Sequence, residues 1–136
     1  MLSLEVPLEA EGLEQAQDRI EVFLDERGVA DPLRYKVRLV LDELAANLGM
    51  HGRFAGPPPP LRVEVAPVGE GVSVSVEDAA EPFDPRLAPP PAGPPSLDDD
   101  RVGGLGLALV MRMARIVDYR RLPEGWNRTE LLIPRG

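Results

Sequence analysis

A chain of 136 residues, 43% of them hydrophobic, has the material for one domain with a real core, and no apolar run approaches the ~18–20 residues of a membrane span. Its formal charge of −8 and isoelectric point near 4.7 set it against phosphate backbones and anionic lipid, so neither a direct nucleic-acid role nor a membrane role is expected. Cysteine is absent, which excludes disulfides and thiolate metal sites, and without a basic-then-apolar opening segment we expect a cytoplasmic protein.

Leu2, Leu4, Val6 and Leu8 alternate with polar residues and Pro7, predicting a strand that Pro7 confines to an edge or cuts short. From about Gly12 to Arg27, Leu13, Ala16, Ile20, Phe23 and Leu24 recur at helical spacing, and Gly28 stands where that helix should stop. Asp31 is expected to cap a second helix, with Pro32 at its first position.

That second helix runs to about Met50. Val37, Val40, Leu41, Leu44, Ala45 and Leu48 give it an apolar face. Glu43, Asn47 and His51 fall four residues apart along one side, at the edge of that face. A carboxylate and an amide so placed suit a base working beside a metal-ligating oxygen. The same spacing also describes an ordinary solvated helix face.

Arg53 to Pro60, with four consecutive prolines, form a stiff surface connection. Leu61, Val63 and Val65 then alternate as one strand, and Val72, Val74 and Val76 as the next, with a turn over Pro67–Gly71 predicting a hairpin. Asp78 lies two residues beyond Val76 and by strand parity shares the valine face. An inward carboxylate needs donors to meet it. The other reading is that the strand ends there and Asp78 opens a turn.

Between Asp84 and Arg101 there are six prolines and the run Asp98-Asp99-Asp100, with no period and little to bury. About twenty such residues inside a domain form a lid or a linker. The aspartates are either a cation cluster or, more simply, solvated charge. Gly103-Gly104-Leu105-Gly106-Leu107 then opens a third helix, continued by Val110, Met111 and Ala114. Glycines at a helix start let backbone N–H groups approach an anion, or else act as a hinge. The segment matches neither the lysine-bearing phosphate loop nor the dinucleotide pattern. Two strands follow, Ile116–Leu122 and Asn127–Ile133, joined by a turn at Pro123-Glu124-Gly125.

A helix with Glu43 and Asn47, a strand ending in Asp78, a proline-rich lid and a glycine-rich helix start stand in one order. That order resembles the GHKL ATPase superfamily. Glu43 to Gly52 is similar to the N box of its anti-sigma factor serine/threonine kinases. Glu77-Asp78-Ala79-Ala80 through Pro85 resembles their adenine box, and Gly103 to Leu107 their second glycine box. Tyr119-Arg120-Arg121 and Asn127-Arg128-Thr129 resemble the closing hairpin.

The resemblance implies an α+β fold: a two-layer sandwich whose mixed, mostly antiparallel sheet carries helices on one face. It implies a single histidine-kinase-like ATPase domain over residues 1–136, with a lid at about 82–102. It implies ATP and Mg²⁺ as cofactors. Asn47 would give its amide oxygen to Mg²⁺, and Asp78 would accept from the adenine amino group. Ala80 would border the base. Gly103, Gly104, Leu105, Gly106 and Leu107 would border the phosphates, with Arg101 toward the γ-phosphate and Thr129 near the adenine. Glu43 would act as general base toward a serine hydroxyl of a partner. His51 is not expected to be catalytic.

The implied function is an anti-sigma regulatory kinase that phosphorylates an antagonist protein and sequesters a sigma factor, with homodimerisation through Leu2–Leu8 as a possibility by analogy. The alternative is an interaction module with little or no nucleotide binding. What motivates it is Ala79, which replaces a commonly polar position, and Ala80, which stands where the family usually carries glycine. A methyl there would crowd the nucleotide or restrict the turn.

Overall fold

The computed structural model describes residues 1–51, 54–82, 110 and 112–135, with the side chains of Met50 and His51 outside that description. Five strands and two long helices follow one another as β1 (Leu2–Val6), α1 (Ala10–Glu26), α2 (Asp31–His51), β2 (Leu61–Val68), β3 (Gly71–Asp78), β4 (Arg115–Arg121) and β5 (Asn127–Pro134).

The strands form a five-stranded sheet in the order β1-β2-β3-β5-β4. The expected architecture is there, but every pairing among the described residues is antiparallel, so the sheet is not mixed. Two hairpins, β2–β3 and β4–β5, impose this locally. The helical pair between β1 and β2 returns the chain antiparallel to β1.

Strand parity sorts the two faces. Leu4, Val6, Leu61, Val63, Val65, Val72, Val74, Val76, Leu131 and Ile133 point one way and join Ile20, Leu24, Val37, Val40, Leu41 and Ala45 of the helices in one core. Each of these valine, leucine and isoleucine side chains, fully buried, contributes about 1.5–3 kcal/mol. The opposite face is polar. There Arg128 meets Glu64, Glu77 and Glu130, while Arg62 meets Glu77 and Glu124 and lies 3.8 Å from the Trp126 ring centroid.

Gly28 ends α1 as expected, at φ +79. Its N–H bonds the Asp25 carbonyl and that of Val29 bonds the Leu24 carbonyl, both at 3.0 Å, which satisfies the last turn. Pro7 likewise marks the end of β1, whose pairing stops at Val6↔Leu61.

One cap differs from expectation. The N–H groups of Leu33 and Arg34 both bond the Ala30 carbonyl, so Ala30 precedes the helix and Asp31 already lies within its first turn. The Asp31 carboxylate instead meets Arg34 one turn on, where a negative charge still complements the helix dipole.

The β2–β3 turn is also tighter than the five residues expected. Pro67 pairs with Val72 and Val68 with Gly71, leaving Gly69 and Glu70 as the loop. The helix expected from Gly103 lies outside the described residues except for its end. There Ala114 N–H bonds the Val110 carbonyl at 2.8 Å and both side chains enter the core.

Candidate functional site

Asp78 closes β3 on the core side of the sheet, and its neighbour across the ladder is Asn127 at the start of β5. It is 7% exposed. Both readings open from the sequence hold: the carboxylate is inward and donors meet it, and Asp78 also ends β3 and opens a turn, its own side chain accepting from the N–H two residues on. Asp78 Oδ1 accepts from Asn127 Nδ2 at 2.9 Å and from the Ala80 N–H at 3.0 Å. Among the described residues no donor reaches Oδ2. Burial pushes the Asp78 carboxyl above the usual carboxylate range. The Asn127 amide, the Ala80 N–H and the Arg121 guanidinium pull it part of the way back.

Ala80 is buried, and its backbone is clamped. Its carbonyl accepts from Arg121 Nη1 at 2.9 Å and from Asn127 Nδ2 at 3.0 Å. No described non-glycine residue has positive φ, so the turn after Asp78 does not need the glycine that the resemblance led us to expect. Thr129 is buried one ladder step inside, opposite Val76 on one side and Tyr119 on the other.

Glu43 and Asn47 lie on the half-exposed side of α2, which packs against β3 and β5, the strands of Asp78 and Thr129. A half-exposed carboxylate and amide are free to face a ligand in a way the helix's buried Val40 and Leu41 are not. Arg101, Gly103, Gly104, Leu105, Gly106 and Leu107 lie outside the described residues, as does the expected lid except Pro82.

Three residues of the Asp78 cluster were not singled out from sequence as site residues: Tyr119, Arg121 and Asn127. Their only sequence signal was the likeness of their segments to a closing hairpin. Elsewhere, a hollow of about 350 Å³ lined by Val68, Glu70, Ser73, Val117, Glu130 and Leu132 opens on the polar side of the sheet. It contains none of the expected site residues and no buried charge, so size alone does not make it the site.

Asp78 thus ends a central strand as a buried, donor-supplied carboxylate, and α2, which carries Glu43 and Asn47, packs against that strand. The family model of the histidine kinase-like ATPase domain matches residues 6–132, and the chain belongs to that family. Among its relatives is the serine/threonine-protein kinase BtrW of Bordetella bronchiseptica, 31% identical over 99 residues, which span 73% of this chain and 69% of that protein. The family expected from the motifs is thereby borne out. With it comes ATP binding as the family's property.

Proposed function

We propose that the protein is a Mg²⁺-ATP-dependent serine/threonine kinase that acts in the cytoplasm as an anti-sigma regulator, phosphorylating an antagonist protein and sequestering a sigma factor. The observation that carries the reading is Asp78, an acceptor buried at the end of β3 with one oxygen committed to the protein. An acceptor so placed selects a donor such as the 6-amino group of adenine. The naming of BtrW as a serine/threonine-protein kinase supports transfer to a protein hydroxyl.

In this reading Asp78 binds the base, with Ala80 and Thr129 bordering it. Asn47 offers a neutral amide oxygen to the cation. Among the described residues no cluster of three or more acidic or histidine side chains is placed to hold a metal unaided. Mg²⁺ needs few protein ligands, since it keeps several waters and is held largely through substrate phosphates. When bound, the cation supplies charge neutralisation to the triphosphate. Arg101 and the segment Gly103 to Leu107 would donate to the phosphates. Glu43 takes the proton from the acceptor hydroxyl.

The test is phosphate transfer from labelled ATP to candidate antagonist proteins, together with calorimetry. Wild type binds Mg-ATP, and Glu43→Gln binds it equally while transfer falls about 10²–10⁴-fold. Equal transfer by both proteins removes Glu43 as the base. A folded wild type that binds no ATP at millimolar Mg²⁺ leaves only the non-catalytic interaction module.

A further inference from the structure

The Asp78 carboxylate is not held by the hairpin's regular geometry alone. A β-bulge interrupts the β4–β5 ladder: Ile116 pairs with Leu131, but Asp118 pairs with Glu130, and Val117 is skipped. Before the bulge, even-numbered β4 residues share the core face. After it, the odd-numbered ones do, so Tyr119 lies opposite Thr129 and Arg121 opposite Asn127. In an unbroken strand Asp118 and Arg120 would occupy that face. The bulge therefore exchanges an acid and a distant arginine for a phenol and a guanidinium.

Both groups converge on one atom. Asn127 Oδ1 accepts from the Tyr119 hydroxyl and, at 3.2 Å, from Arg121 Nη1. This settles which way the amide faces. Flipped, its NH₂ would meet a guanidinium, and its oxygen would meet the Asp78 carboxylate and two backbone carbonyls. As placed, Nδ2 donates to Asp78 Oδ1 at 2.9 Å and to the carbonyls of Ala80 and Glu81 at 3.0 and 3.3 Å. Asn127 is 2% exposed, so water does not compete for these bonds.

We propose that Asn127, aimed by the bulge at Val117 through Tyr119 and Arg121, is the positioning residue that holds the Asp78 carboxylate in one orientation and leaves Oδ2 to face the exocyclic amine of the bound base. The role toward the base rests on the adenine-nucleotide reading above. The role toward Asp78 does not. Among the described residues, Arg121 is the charged group that faces this carboxylate, and it also pins the Ala80 carbonyl. The same contacts thus hold both the acid and the turn beyond it.

The decisive variant is Asn127→Asp. It is isosteric and keeps an oxygen for Tyr119 and Arg121, but it replaces the donor toward Asp78 with a second carboxylate. In the nucleotide-free protein, the titration of the Asp78 carboxyl carbon, followed by carbon-detected NMR, moves to higher pH than in wild type, because two adjacent carboxylates share a proton. In binding, ATP weakens at least about tenfold. The triphosphate of purine riboside, which lacks the 6-amino group, binds as it does to wild type. Tyr119→Phe, on the edge strand, preserves the fold and lowers the preference for ATP over the purine analogue about two- to tenfold.

An Asp78 titration identical in wild type and Asn127→Asp overturns the positioning role, whatever the protein binds. Should Asn127→Asp not fold, an unchanged ATP preference in Tyr119→Phe overturns it instead. A shifted titration in a protein whose wild type does not favour ATP over the analogue leaves Asn127 as the residue that positions Asp78, and overturns the adenine reading together with the assignment of Oδ2.

Discussion

Replacing Asp78 with asparagine should separate binding from stability. The amide keeps an oxygen for the Ala80 N–H and for Asn127 Nδ2 but carries no charge and presents an NH₂ where Oδ2 stood. For binding, one hydrogen bond to a charged acceptor is lost, worth about 1.5–3 kcal/mol, so affinity for ATP falls about 10- to 150-fold. Stability moves the other way. Folding raises the Asp78 carboxyl above its unfolded value of about 3.9, and that direction already includes the help of its hydrogen bonds. Between the two values the native state holds a proton that the unfolded chain has released. The contribution of Asp78 is therefore fully present below about pH 3.9 and is lost as pH rises through the folded value. Asparagine does not titrate. Relative to wild type, Asp78→Asn gains stability as pH climbs through that window and keeps the gain at neutrality. Denaturant melts from pH 4 to pH 8 and calorimetry with Mg-ATP measure the two effects. A variant less stable than wild type by the same margin at every pH, or one that binds ATP unchanged, refutes the reasoning.

Leu24 is fully buried between α1 and the sheet, and Leu24→Ala should cost about 2–5 kcal/mol in denaturant unfolding. At Gly71 a Cβ would lie 2.0 Å from the Ile133 carbonyl oxygen and 2.9 Å from Pro134 Cα, so Gly71→Ala must push β5 aside. We expect a loss of about 1–3 kcal/mol, seen as a lowered midpoint. Arg38 of α2 gathers Glu14, Asp18 and Glu21 of α1 at 2.7, 3.2 and 2.9 Å. These acids are largely exposed, so Arg38→Ala should cost only about 1 kcal/mol, and the cost should shrink in high salt.

Much of this protein could be read locally. Alternation and helical spacing located all seven described elements to within a few residues, because each periodicity reports which side of a segment leaves water. The inward turn of Asp78 was one of two readings that stood even: parity puts it two residues from Val76 on the same face, and an aspartate at a strand end also opens turns. Gly28 as a helix stop followed from chemistry within one turn.

Other features were beyond such reading. The N-terminal end of α2 shifted by one residue because the first carbonyl to accept belongs to Ala30, a residue without any capping side chain. The support of Asp78 depends on Asn127, 49 residues away, and on a parity change at Val117 that exists only against β5. A bulge is a property of two paired strands, so β4 read alone puts Asp118 and Arg120 on the wrong face. Sequence by itself determined that β3 would end in an acid on the valine side of its pleat, with burial and a turn both open. Only the tertiary structure decided which groups would hold it, since hydrogen-bond partners across a sheet are set by register between distant segments.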